Sequence, residues 1–547
     1  MSEPTYLVTG APPNPNGDLH LGHLSGPFLG ADVLRRYLAL RGRTVHYVTY
    51  ADDHSPYVLR KAEELGQSAQ ETAFRYSQRM EATLHLANMG PDYFEHPFRE
   101  PVHERVVHEF FLRLWRDGAF TVRELPAYWC ERCARFLYEA HLRGRCQFCG
   151  VPADGFYCEE CGRQQDTTGL REAVCIRCRE APEERPVRRI VFPLGRYAHR
   201  LADRVAGGPW RPHLRAFLEE NLERGLPDVP ISRLSGYGIP VPLEGWEGHI
   251  LDTWFSGIFG YMASTAGYAE AMGAPDRWRE IWTDERTRLI HFIGFDCSFS
   301  HAILWPCLLL ALGGMPLPEQ VVTNEFYRLE GDKFSTSRGH AIWGSDFLRR
   351  FHADALRYHL CLTGPEVEQT SFRMKDFTST VNDFLVDRLE GWIRALFQLL
   401  RDDFDSTVPD PGVVDGGAPA VRELLHTLPV SLARALEPEG FSMRAAAACL
   451  RDTVEVAEAS LRESRLQRMA GRTSRYAADL ADQVELLATF AAASSAIMPT
   501  WSDELWRQLH VPPRTDPSGP RWPEPEQRLT EPGQRLVATP VSTFGRI

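Results

Sequence analysis

A chain of 547 residues with 43% hydrophobic and 24% charged side chains has room for several cores, which excludes a disordered or fibrous protein. Its net charge of −12 excludes a globally basic surface that grips nucleic acid through its phosphates, although a local basic stripe is not visible in the total. No run approaches the ~20 apolar residues of a membrane span, and no basic and apolar leader opens the chain, so a cytoplasmic protein without membrane contact is expected.

In chain order, residues 6–9 are a short apolar strand that ends in Gly10-Ala11-Pro12-Pro13-Asn14-Pro15-Asn16-Gly17, and an amphipathic helix pattern follows over about 24–40. A second strand at 45–49 ends in Asp52-Asp53-His54, with helical patterns resuming from Tyr57 and again over 102–115. This alternation predicts an α/β fold with a parallel, doubly wound sheet of Rossmann type, whose ligands bind at the carboxyl ends of its strands. The pattern breaks near Glu124, where a Cys- and Gly-rich segment running to about Arg185 has too few apolar residues for a core of its own. Strand patterns return at 189–194, 289–294 and 320–322, so the insertion splits the sheet. Beyond about Met374 only helical patterns appear, at roughly 376–401, 419–435, 442–469 and 474–497, with loops at 410–417 and 511–526. The expected division is 1–120 and 189–325 for the two halves of the sheet domain, 121–188 for the insertion, 326–373 for a loop-bearing segment and 374–547 for an α-helical bundle.

Three groups of residues carry chemistry. His20-Leu21-Gly22-His23 opens the first helix, where imidazoles can donate to phosphate oxygens and Gly22 admits a nucleotide to the backbone; alone, the tetrapeptide reads equally well as two solvated loop histidines. Lys333-Phe334-Ser335-Thr336-Ser337-Arg338-Gly339 follows the last sheet strand, and a lysine with hydroxyls on a loop suits a pyrophosphate leaving group. Lys61, Lys333 and Lys375 are the only lysines, which sets Lys333 apart from an ordinary basic loop. Finally, Cys130/Cys133, Cys146/Cys149, Cys158/Cys161 and Cys175/Cys178 form four C-x-x-C pairs. Eight thiolates suit two tetrahedral zinc sites; disulfides or redox pairs are the weaker readings in a reducing compartment. Cys297, Cys307, Cys361 and Cys449 read as small apolar core residues.

Together, His20 to His23 and Lys333 to Gly339 resemble the HIGH and KMSKS signatures of class I aminoacyl-tRNA synthetases. Further blocks are similar to the methionyl-tRNA synthetase family over most of the chain: Ile231-Ser232-Arg233, Gly238-Ile239-Pro240-Val241-Pro242, His291-Phe292-Ile293-Gly294, Asn324-Glu325-Phe326, Leu329-Glu330-Gly331 and Asp354-Ala355-Leu356-Arg357-Tyr358. The resemblance implies a HUP-like catalytic domain that adenylates an amino acid with magnesium ATP. It implies His20, His23 and Lys333 as catalytic residues, and Gly22, Gly294, Asp296, Asn324, Lys333, Ser335 and Ser337 on ATP. Pro12, Asn14, Asp52, Trp254, Gly257, Tyr261, Ser300 and His301 would hold the amino acid, Asp52 on its α-ammonium. The family's nested arrangement puts the inner two cysteine pairs on one zinc and the outer two on another.

The departures fall in two places. Where methionyl enzymes read Ala-Leu-Pro-Tyr, this chain has Ala11-Pro12-Pro13-Asn14; Gly257 replaces an alanine and Ser300 a phenylalanine. These changes remove apolar contacts and add hydrogen-bonding groups, so a more polar or longer side chain than methionine's is expected. In the helical region the anticodon-reading Asn and Arg fall near Gly391 and Ala395, with Arg394 one position away, and the stacking Pro-Trp falls near Gln467-Arg468. Thr336 replaces the second signature lysine, as in some methionyl branches. The expected function is therefore transfer of the acyl group to a small molecule, such as an N-hydroxylated amino acid in natural-product (N–N bond) biosynthesis, with a separate cupin protein as partner. An authentic methionine–tRNA ligase charging tRNA is the alternative, and a non-catalytic binding protein is a third reading. A monomer without a C-terminal tRNA-binding or dimerisation module is expected.

Overall fold

The computed structural model describes residues 3–158, 160–334, 340–410, 417–510, 521–525 and 527–547, without the side chain of Thr167. The chain forms two compact units: residues 1–31, 45–85 and 90–326 make the first, and residues 32–44, 86–89 and 327–547 the second.

The first unit is organised by five strands: β1 Tyr6–Gly10, β2 Val45–Tyr50, β3 Tyr93–Glu95, β4 Arg288–Gly294 and β5 Pro318–Asn324. All neighbours are parallel, in the order β5-β4-β1-β2-β3. β1 is buried along its whole length and β4 nearly so, which explains why both read as unbroken apolar runs: helices cover both faces of such a sheet. The order of strands reverses between β1 and β4, and ligands of doubly wound sheets bind beyond the carboxyl ends at such a point. Local chemistry sets the helix ends. The helix Pro56–Leu65 has Ser55 accepting from Tyr57 N, Pro at its first position and Gly66 in the left-handed region at φ 64°, each the residue favoured there. The stretch Phe295–Leu312 has the length and hydropathy to cross a membrane, contrary to the sequence expectation, but 78% of it is buried inside this unit as a core helix.

The insertion springs from a long antiparallel pair, Thr121–Cys130 with Glu183–Pro193. The run at 189–194, expected to rejoin the parallel sheet, belongs to this pair instead, with Val191 opposite Thr121. An apolar run of that length does not reveal its partner strand. At the tip, the core consists of Tyr128, Leu137, Leu142, Ala153 and Leu170 with Cys130, Cys146, Cys158 and Cys175.

The second unit is mostly helical: Glu390–Phe404, Pro419–Leu436, Met443–Met469, Thr473–Ser494 and Pro499–Gln508, close to the helices expected from periodicity. A stretch of π-helix, Thr380–Leu389, precedes them. Fully buried Arg357 ties this unit together, donating to Ile497 O, Ala496 O and Asn88 O and pairing with Asp32 at 2.8 Å. A small sheet joins Tyr327–Leu329 to Asp332–Lys333 and Thr370–Phe372. Most of the two expected loops at 410–417 and 511–526 lies outside the described residues.

Candidate active site

Four segments meet where the sheet's strands end. After β1, Ala11 N still donates to Phe292 O of β4, and Asp52 N beyond β2 donates to Pro13 O, so the loops carrying Pro12, Asn14 and Asp52 are pinned to one another. His20 caps the short helix Leu21–His23; its ring stacks on that of His23 at 3.7 Å, and His20 N donates to His23 Nδ1. Loss of hydration holds both imidazoles neutral, His20 well below its ordinary pKa and His23 near 4. They are half-buried, ordered groups and not the solvated loop pair that the tetrapeptide alone allowed. At the end of β4, Gly294 adjoins Asp296. At the end of β5, Asn324 packs so tightly on Gly26 that a Cβ there would stand 2.3 Å from the Asn324 Oδ1; only glycine admits that approach.

The expected amino-acid residues gather in the same unit. Fully buried Tyr261 donates its hydroxyl to His301 Nε2 at 2.7 Å, because His301 Nδ1 carries the proton toward Cys297 O at 3.1 Å. Burial lowers the His301 pKa to about 4. Ser300 Oγ donates to Cys297 O and sits 2.9 Å from His301 Nδ1. Tyr50 donates to Gly257 O, and a Cβ added to Gly257 would meet nothing closer than the Tyr50 hydroxyl at 3.8 Å and Asp52 at 4.0 Å, leaving methyl-sized space. Asp52 is pushed well above the usual carboxylate range, first by lost hydration and then by the neighbouring carboxyl of Glu139. Asn14 Oδ1 is buried without a hydrogen-bond partner.

Lys333 lies in the second unit, exposed at the end of the strand Asp332–Lys333. Ser335 and Ser337 fall outside the described residues.

Sequence reasoning missed four residues around Trp254. Trp254 donates its indole N–H to Glu139 Oε1 at 2.5 Å; Arg233 lies 3.5 Å from Glu139 and 3.4 Å from Asp252; Tyr157 stands edge-on to the Trp254 ring at 4.3 Å. Glu139 and Tyr157 come from the cysteine-rich insertion. Glu139 holds a left-handed φ of 42°, uncommon for a side chain of this kind and costly unless the surroundings enforce it. Nothing in the local sequence marks either residue; only the neighbouring cysteines could have drawn attention to the segment.

The eight cysteines form two sets, Cys130, Cys133, Cys175 and Cys178, and Cys146, Cys149, Cys158 and Cys161, each with its sulfurs within 4.8 Å of one another. The nested pairing is thus the observed one. Sulfur contacts run from 3.4 to 3.9 Å; a tetrahedron of Zn–S bonds ~2.3 Å long has S···S edges of about 3.8 Å. Both sets fit a tetrahedral metal ion.

Comparison with known proteins agrees with this geometry. Residues 6–396 match the family of tRNA synthetases class I (M). The chain is 34% identical over 408 residues to a methionine–tRNA ligase of Thermomicrobium roseum, covering 74% of this chain and 70% of that protein. It is 31% identical over 565 residues to one from Chlorobaculum tepidum, covering 99% of this chain and 79% of the other. In fold it is similar to Mycobacterium tuberculosis methionyl-tRNA synthetase bound by methionyl-adenylate, with a TM-score of 0.79 at 21% identity, covering 99% of this chain and 100% of that one.

Proposed function

This chain belongs to the class I tRNA synthetases (M) and is an ATP-dependent amino-acid-activating ligase of the aminoacyl-tRNA synthetase type; from that premise we propose how its residues divide the work. Asp296 and Gly294 take the ATP ribose, Asn324 and Gly22 the nucleotide beside them, and Asp52 the substrate's α-ammonium. A carboxylate oxygen of the amino acid attacks the α-phosphorus, the bond from that phosphorus to the oxygen bridging the β-phosphate breaks, and pyrophosphate leaves with its magnesium. His20 and His23, being neutral, donate N–H groups to phosphate oxygens without needing a proton from solution. Lys333, with Ser335 and Ser337, supplies charge and hydroxyls to the leaving group. The observation that carries this reading is the convergence of His20, Asp52, Asp296 and Asn324 on the carboxyl ends of adjoining parallel strands. Each cysteine set would hold one Zn²⁺, which contributes folding energy to the insertion and no chemistry.

Pro12, Asn14, Trp254, Gly257, Tyr261, Ser300 and His301 line the side-chain pocket in this proposal, and its hydrogen-bonding groups favour a substrate more polar than methionine. Two acceptors are compatible with the activation step. Alignment with methionine–tRNA ligases over 74 to 99% of this chain favours tRNA. A small-molecule nucleophile such as an N-hydroxylated amino acid is the other acceptor, suggested by Gly391 and Ala395 near the base-reading positions, with Arg394 between them on the same helix Glu390–Phe404. ATP–pyrophosphate exchange with the zinc-loaded protein tests the activation step. Lys333→Ala should lower its rate by about 10²–10³-fold, and an unchanged rate removes Lys333 from the leaving-group site. Charging of tRNA with methionine would establish the first acceptor, and adenylate formation without charging the second.

A further inference from the structure

Charge is unevenly distributed in the amino-acid pocket. Glu139, Asp252 and Arg233 are at most 4% exposed, and among the described residues the ion pairs of Glu139 and Asp252 involve Arg233 alone. Asp52 adds a third carboxyl, for which Glu139 is the foremost neighbouring charge and Asp252 a further one. Part of this negative charge has local partners. Asp252 caps the helix Thr253–Ile258 by accepting from Trp254 N, and Glu139 accepts from the Trp254 indole. Even so, Glu139, Asp252, Asp52 and its neighbour Asp53 are four carboxyls beside one guanidinium, and the α-ammonium that Asp52 would take supplies only one more positive charge.

Tyr157 stands at the same place. Its side chain is 7% exposed, packs on Trp254 and on Phe299 at 5.5 Å, and its hydroxyl has no hydrogen-bond partner. Asp252, Glu139 and Cys297 are the neighbouring groups whose charge would oppose its ionisation. A buried phenol oxygen without a partner, flanked by carboxyls, offers lone pairs to an N–H donor from a ligand. Gly257 leaves methyl-sized space beside the Tyr50 hydroxyl and Asp52.

We infer that the amino acid activated here carries a second cationic nitrogen on its side chain, an ammonium or guanidinium, received by Glu139, Asp252 and the Tyr157 hydroxyl. The inference rests on the activation reading above and names its substrate class. A cationic side chain adds positive charge beside carboxyls that burial and mutual repulsion hold back from ionising, whereas a neutral side chain leaves them in that unfavourable state. Burial and Asp252 already oppose ionisation of Glu139, which is pushed up to about 7 despite Arg233. The insertion thereby takes part in substrate choice: Glu139 and Tyr157 reach the pocket from between the cysteine pairs.

The test is ATP–pyrophosphate exchange by the full-length, zinc-loaded protein with ornithine, lysine and arginine against norvaline, norleucine and methionine. The dibasic amino acids should exceed their neutral counterparts in kcat/KM by about 100-fold or more. Tyr157→Phe, which keeps the ring, should raise KM for the preferred dibasic substrate about tenfold with little change in kcat and no loss for norleucine. Glu139→Gln should narrow the dibasic-to-neutral ratio, a readout that general loosening of the fold would not move. Equal or better exchange with the neutral amino acids overturns the inference while amino-acid activation stands. Absence of exchange with every amino acid overturns both.

Discussion

The cysteine-rich insertion and the C-terminal helices solve the same problem by opposite means. The helices bury full apolar faces, with Leu428, Leu432, Leu450, Val454, Leu480, Val484 and Leu487 at 0 to 1% exposure. At the tip of the insertion, four of the nine buried core residues are thiols, and its short strands Leu142–Arg145 and Pro152–Ala153 could not stay paired on apolar area alone. A metal ion in each cysteine set would let the insertion aim Glu139 and Tyr157 at Trp254 from segments with little apolar core of their own. Stability supplied by metal would free sequence for function; stability supplied by helix packing occupies it.

The largest effect that would break this contrast is removal of metal. Chelation, or Cys158→Ser with Cys161→Ser, should unfold the insertion and reduce amino-acid activation by 100-fold or more, since ligation of a structural zinc is worth on the order of 10 kcal/mol. Far-ultraviolet circular dichroism should meanwhile keep the signal of the C-terminal helices. Retained activation in metal-free protein would mean that the thiols pack well enough without an ion. Next comes Leu450→Ala in the helix Met443–Met469. Cavity formation there should cost about 2–5 kcal/mol in urea unfolding, with KM for the amino acid unchanged; a shifted KM would erase the distinction.

The smallest effect sharpens the functional side. Glu139 titrates near 7 when folded and near 4.5 when unfolded, so the folded protein holds its proton longer. Its contribution is favourable below about pH 4.5 and is lost as pH rises through 7. Glu139→Gln should therefore gain on the wild type by about 1–3 kcal/mol between pH 5 and pH 8, measured as the difference in unfolding free energy. A pH-independent difference would show that Arg233 compensates the carboxylate fully.

The sequence alone determined much of this protein. The buried strands β1, β2, β4 and β5 and the four long helices follow from unbroken apolar runs and from 3.6-residue periodicity, and the C-x-x-C spacing marks metal ligands because thiolate geometry is local. The fold class, the cysteine sets and the activation chemistry were legible in this way. β3 was missed because Tyr93–Glu95 is too short for a pattern. The strand through Arg189 was assigned to the wrong sheet because pairing partners leave no trace in composition. Tertiary structure alone decided the charge of the amino-acid pocket. Glu139, Tyr157, Arg233 and the segment from Asp252 to Trp254 lie far apart in sequence, and apart from Trp254, which the resemblance already places in the pocket, each reads locally as an ordinary loop, cap or core residue. Only folding desolvates them together, and the strength of an interaction between charges depends on that shared burial and not on spacing along the chain.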